Sequence, residues 1–306
     1  MKRPTLSVLL LVGFTTAVYW KPSSAQQRAG SDSHTQYVRV SVTDKRGRAV
    51  AGLSSAQFRV YENNNQLALT SFAATEPAVI ALLLDLSGSM KRAPQKMASD
   101  VIEKLLPRLP SDTEYVVIAF HEKSFVVCET CNRNQAVEAL QRISQFDPHF
   151  NTSFYDACDL AVRKLEAGKR SQRVLLAFSD GEDNSSKVSH SDLRNALKNS
   201  QLTFYAVSFY SREDRDSELG REASGILDDF AEISGGKTFR SPNESSAEEL
   251  AEVLATQVNN SYLIGFKPSQ DAADQKWHNI KVKLELPKQN DGAHFKLHYR
   301  ARYYNR

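Results

Sequence analysis

Cysteine is scarce in this chain, three residues in 306, and what is missing around those three excludes most of their chemistry. Cys128 and Cys131 form a single C-x-x-C pair. No second pair and no neighbouring histidines accompany it, so a zinc site has little support. The pair also lacks the placement of a redox-active C-x-x-C, at a helix start after a strand. It is left to close a short disulfide if the compartment is oxidising. Cys158 falls in the helical-looking stretch 155–161 and reads as a small buried apolar residue.

A membrane-length apolar run is missing as well. The stretch from Leu6 to Tyr19 is too short for a comfortable span. Lys2 and Arg3 precede it, and Ser23-Ser24-Ala25 follows with small residues at both cleavage positions. That is the form of a secretory signal peptide over 1–25, and no cysteine stands at the cleavage point to take a lipid. Once the segment is removed, an excess of one charge sign is missing too. It carries Lys2, Arg3 and Lys21 and no acid, which leaves 36 basic residues against 36 acidic. A neutral chain has no electrostatic case for nucleic acid or an anionic membrane surface. The mature protein is expected outside the cytoplasm, secreted or periplasmic.

What is present falls into blocks. Residues 26–36 are polar and read as a flexible leader. From Tyr37 the pattern alternates through Val38, Val40 and Val42, with further short β segments near 58–61 and 67–72. About 40 residues of β structure cannot bury a core unaided. From 76 to 261 strands and helices alternate, the signature of a doubly wound, Rossmann-like and mostly parallel sheet. Buried strands are expected at 78–84, 115–120, 174–178 and 203–209, with 125–127 as a short edge strand. Helices are expected at 93–106, 134–144, 154–165, 191–198, 226–233 and 247–258, with Gly235-Gly236 as a C-terminal cap. From 262 to 306 the β alternation returns, as in Ile280-Lys281-Val282-Lys283-Leu284. The economical reading is that 37–75 and 262–306 fold together as one smaller β-sandwich-like domain into which the α/β domain, 76–261, is inserted.

The chemistry gathers at the carboxyl ends of the buried strands, where open α/β sheets bind their ligands. The apolar run 78–84 ends in Asp85, followed by Ser87, Gly88 and Ser89. The run 174–178 ends in Ser179-Asp180-Gly181, and between them Asn151-Thr152-Ser153-Phe154-Tyr155-Asp156 sets a threonine ahead of a helix. Asp85, Ser87, Ser89, Thr152 and Asp180 are hard oxygen donors, which suit Mg²⁺, with Mn²⁺ or Ca²⁺ as alternatives, rather than zinc or copper. Only two of them carry charge, so an ion held there keeps an open position that a partner's Asp or Glu carboxylate can fill. No general base or nucleophile accompanies them, and hydrolysis is unsupported. Glu182, Asp183 and Asn184 read as a solvated rim or a second-ion loop, and His121 and His149 as loop residues bordering the site. Asn151, Asn184, Asn243 and Asn259 begin N-x-Ser/Thr sequons.

Asp-x-Ser-x-Ser after a buried strand, a loop threonine before Tyr-Asp, and Asp-Gly after a second strand resemble the von Willebrand factor A domain. In that family these positions form the metal-ion-dependent adhesion site. The resemblance implies an adhesion or protein-binding module without catalysis, with Asp85, Ser87, Ser89, Thr152 and Asp180 as its metal site. It also implies that metal occupancy is coupled to a shift of the last helix, 247–258. Phe150-Asn151 replaces the small glycines usual before the threonine. The flanks 42–47, 58–62, 262–266 and 300–304 are similar to those of secreted bacterial proteins of acidobacterial type. Two rival readings stay open: an Mg²⁺-dependent aspartyl phosphotransferase or phosphatase, which would usually have an acid where Ser87 stands, and a degenerate scaffold that holds no metal.

Overall fold

Uninterrupted apolar sequence builds the central layer. In Ala78–Asp85 (β5) every residue is buried, as a strand covered on both faces requires. The computed structural model describes residues 35–305 apart from 75, 91, 147–149, 210–216, 241–245, 270–273 and 287–293. The expected signal peptide, most of the leader, His149 and Asn243 lie outside the described residues.

β5 is flanked by Glu114–Phe120 (β6) and Gln172–Phe178 (β8), both parallel to it. Leu202–Ser208 (β9) and Lys237–Arg240 (β10) extend the sheet in parallel beyond β8. Ser124–Cys131 (β7) closes the other edge antiparallel to β6. The order is thus β10-β9-β8-β5-β6-β7. Alternate strand residues serve opposite faces. Ile80, Leu82 and Leu84 pack with Arg92–Leu105 (α1), Arg133–Ile143 (α2) and Ala247–Asn259 (α6). Val79, Ala81 and Leu83 pack with Phe154–Ala167 (α3), His190–Asn199 (α4) and Glu218–Ser234 (α5). The doubly wound sheet expected from the alternation is present.

The two β-rich ends of the chain meet each other. Gln36–Asp44 (β1) lies between Ser261–Phe266 (β11) and Phe295–Tyr299 (β13), with Leu69–Ala74 (β4) on the far side of β11. A second antiparallel sheet orders Arg302–Tyr304 (β14), Trp277–Leu284 (β12), Phe58–Glu62 (β2) and Asn65–Leu67 (β3). Val38, Val40, Val42, Phe58, Val60, Tyr262, Ile264, Ile280 and Val282 share one core between these sheets. Strict alternation in β1 and β12 supplies its inward face.

Some bounds differ from expectation. The edge strand β7 runs on through Cys131, which pairs with Tyr115 of β6; Cys128 and Cys131 form a disulfide, and Cys131 is buried against α2. Helix α5 begins at Glu218, eight residues before the apolar face becomes legible, with the Ser217 side chain accepting from Gly220 N at 3.0 Å. Cys158 is free and buried, as read. Among the described residues no helix is long and apolar enough to cross a membrane.

Candidate metal centre

Strand order reverses direction of travel at β5, whose neighbours β8 and β6 lead the chain to opposite edges. Such a switch point leaves a crevice beyond the strand ends. Asp85, the last residue of β5, sits there with only 2% of its surface exposed. Its Oδ1 accepts from Ser87 N at 2.8 Å and its Oδ2 from Ser179 Oγ at 2.6 Å. The Ser179 hydroxyl in turn accepts from Gly181 N at 2.9 Å. Burial, and then the Asp180 carboxylate, push the Asp85 carboxyl up to about 7, against the lowering effect of those hydrogen bonds.

Ser87 is fully buried and Ser89 exposed, and their hydroxyls lie 3.0 Å apart. Asp180 is buried after β8, and its Oδ1 accepts from Glu182 N at 3.0 Å. The turn behind it admits only glycine: Gly181 has φ +86°, and a Cβ there would lie 2.7 Å from Leu227 Cγ.

Thr152 is buried at the entrance to α3 and tied to both neighbouring loops. Its N–H donates to Asn184 Oδ1 at 2.8 Å, and its carbonyl accepts from Asn184 N and Ser185 N, both at 3.0 Å. The next residue, Ser153, reaches the β6 end through its N–H (2.6 Å) and hydroxyl (2.8 Å), both donated to the His121 carbonyl. Asp183 Oδ2 takes the Tyr155 N–H at 2.9 Å, and Asp156 Oδ1 takes Lys187 N and Val188 N. Asp183 and Asn184, read from sequence as a rim or a second-ion loop, have carboxylate and amide oxygens committed to holding the threonine loop. This lacing, not glycine, fixes the backbone after Phe150-Asn151. Sequence reasoning missed Ser179, Asn184 and Asp156 in these roles.

Asp85 and Asp180 interact as neighbouring charges, and Ser87 and Ser89 stand on the Asp85 turn. Thr152 reaches the Asp180 loop through Asn184 and the β6 end through Ser153. Among the described residues no three His, Cys, Asp or Glu side chains cluster as a metal cage, so an ion here would lean on hydroxyls. Two neighbouring carboxylates with alcohol donors form an all-oxygen set that fits a hard divalent ion and suits no soft one.

Exposed apolar side chains stand on the loops and edge strand near this point. Phe150 is 95% exposed, and Phe125, Val126 and Phe146 are also exposed large hydrophobics. Phe125 stacks on Phe146 with centroids 6.4 Å apart and meets the His121 ring at 5.0 Å. A cavity of about 450 Å³ is lined by Asp85, Leu86, Arg92, Gln95, Lys96 and Phe146 among others.

The family model for the von Willebrand factor type A domain matches residues 80–272, more than half of the chain, and the protein belongs to that family. Its resemblance at sequence level is thereby borne out. Solved structures with a similar fold include von Willebrand factor type A from Catenulispora acidiphila, 13% identical, covering 90% of this chain and 74% of that one at a TM-score of 0.49. Another is the conserved hypothetical protein BatB from Bacteroides thetaiotaomicron, 18% identical, covering 60% and 97% at 0.47. A third is the vWF domain of the type V pili tip protein Mfa5 from Porphyromonas gingivalis, 11% identical, covering 61% and 96% at 0.45. No curated protein matches the sequence.

Proposed function

We propose that the protein is an exported, non-catalytic interaction module that captures a partner's Asp or Glu carboxylate through a divalent metal. Mg²⁺ is the first choice, with Mn²⁺ or Ca²⁺ as substitutes, and Asp85, Ser87, Ser89, Thr152 and Asp180 would hold it. The observation that carries the reading is the buried Asp85 beside Asp180, its proton affinity raised by burial and by that second carboxylate, with hydroxyls on the same turn. A hard cation between them relieves that repulsion while leaving room for one outside ligand. The exposed Phe125, Phe146 and Phe150 support a protein partner, since aromatic rings left in water mark contact surfaces. Lys2, Arg3, the apolar stretch behind them and Ser23-Ser24-Ala25 support export.

The test joins calorimetry with capture. Ser87→Ala together with Ser89→Ala is expected to weaken Mg²⁺ binding on the order of 10–100-fold. Partner capture from the native extracellular fraction should be reversed by EDTA in the parent. Capture that resists EDTA equally in parent and variant would sink the proposal. Turnover of an aryl phosphate with Mg²⁺, abolished by Asp85→Asn, would establish an enzyme instead.

A further inference from the structure

The amino-terminal end of the parallel strands carries a second cluster with no part in the centre above. Arg300 lies in the turn between β13 and β14, part-buried, and donates Nη1 to the Lys198 carbonyl at 3.0 Å and Nη2 to the Leu197 carbonyl at 3.1 Å. It closes the last turn of α4, yet no carboxylate partners it among the described residues. Lys198 itself holds Nζ 4.9 Å from the centroid of the Trp277 ring. Arg302 is exposed and also has no acid partner among the described residues.

Strand register explains why these groups meet. Trp277 pairs with Tyr304 and Asn279 with Arg302, so Trp277, Tyr304 and Arg302 share one face of the sheet. Tyr303 and His278 turn to the other face and reach Glu62, at 2.8 and 2.6 Å. The Trp277 and Tyr304 rings lie 5.4 Å apart, tilted 60° to each other, so each offers its own ring surface rather than a shared plane.

Two cavities of about 340 and 330 Å³ share Trp277, Arg300 and Arg302 on their walls. The first adds Tyr37 and Tyr304 and has no acid on its described walls. The second adds Lys198, Asp229 and Glu232, but Asp229 is already held by Arg194 at 2.7 and 3.0 Å. Glu232 alone therefore stands against Lys198, Arg300 and Arg302. Burial lowers Arg300 to about 10.

We propose that this crevice binds an acidic glycan, with uronic-acid carboxylates on Arg302 and Arg300 and sugar ring faces on Trp277 and Tyr304. Guanidinium forks match carboxylates, and each cavity is at the small end of ligand-site volumes, the size of one or two rings. An acidic peptide is the poorer fit. It would meet the same guanidinium groups, but a run of acidic side chains has no ring face to set against Trp277 and Tyr304.

Of the two tryptophans, Trp20 lies in the expected signal peptide 1–25, so the protein expressed from residue 26 carries Trp277 alone and its fluorescence reports directly on the crevice. In that protein hexagalacturonate should shift Trp277 emission saturably, with or without EDTA. Maltohexaose and hexaglutamate should not. Arg302→Gln, at an exposed position, should raise the Kd by at least about tenfold. The inference is overturned if hexagalacturonate gives neither a Trp277 response nor calorimetric heat, or if Arg302→Gln leaves the Kd unchanged. Equal binding of maltohexaose would remove the charge argument, and equal binding of hexaglutamate the sugar. Loss of the signal with EDTA would move the ligand to the metal centre and overturn it too.

Discussion

A buried carboxylate keeps one orientation only when both of its oxygens have partners. Asp85 has them in Ser87 N and Ser179 Oγ, and the second was invisible from sequence. Ser179→Ala removes that hydroxyl, leaving Asp85 Oδ2 short of a donor and Gly181 N–H short of an acceptor. A loss of about 1–3 kcal/mol in stability is expected from urea unfolding. Mg²⁺ affinity should also fall by roughly tenfold, as it does when groups orienting a ligand are lost. An unchanged unfolding midpoint would mean that Asp85 is held some other way. The ligand candidates were legible because each follows an apolar run or a loop ahead of a helix. Ser179 and Asn184 were not, because their partners lie 94 and 32 residues away, and no local pattern encodes such a pairing. The same distance hid the fate of two sequons. Asn184 spends its side-chain oxygen on Thr152 N, and Asn259 donates its amide to the Arg108 carbonyl at 2.9 Å.

Among the elements, the join of α5 to β10 is the tightest. Gly235 ends the helix at φ +81°, the left-handed conformation that Gly-Gly promised. What the pattern did not disclose is how closely other backbone approaches. A Cβ on Gly235 would lie 2.7 Å from Arg300 N, and one on Gly236 only 1.9 Å from the Phe204 carbonyl oxygen. Gly236→Ala therefore pushes β10 off β9 and should cost roughly 2–4 kcal/mol, since overpacking against backbone cannot be relieved by a rotamer change. A thermal melt that drops by less than about 2 °C would contradict this contact. Elements with strong period were read well. The parallel strands are apolar throughout, and α2 and α6 show one apolar stripe each. The first half of α5 was missed because Gly220 and Gly225 interrupt its stripe, although Ser217 before Glu218 is a capping signal. Strand β7 was read short because its second half carries Glu129 and Thr130 and pairs with β6 through an irregular register, so no apolar alternation marks it.

At the scale of the whole molecule the two chain ends form sheets that neither could close alone, and the sequence showed this only as two separate runs of alternation. Their partnering, Val40 with Tyr262 and Val60 with Val282, follows from the need to bury one face of each. That assembly brings like charges together where β13 passes the edge of the parallel sheet. His298 is pushed down to about 4, first by burial and then by Lys296 and Lys237, and its Nε2 lies 3.2 Å from Thr43 Oγ1. Burial also lowers Lys237, with Lys296 adding to it. Between the ordinary imidazole value of 6.5 and about 4, the unfolded chain binds a proton that the folded chain refuses. Stability supplied by neutral His298 is thus complete above 6.5 and is lost as pH falls toward 4. The full shift would be worth about 3 kcal/mol, and solvent screening of a partly exposed ring reduces this to about 1–2 kcal/mol. Asp85 acts with the opposite sign, because a carboxyl raised to about 7 takes up its proton in the folded state first and favours folding as pH drops. The parent's pH profile is then a sum of opposed slopes, and only a difference isolates the histidine. His298→Gln keeps a polar neighbour for Thr43 without a titrating ring. Urea midpoints of parent and His298→Gln should diverge steadily from pH 6.5 to 4 in favour of the variant, and parallel profiles over that window would show that the imidazole is not excluded from protonation by this contact.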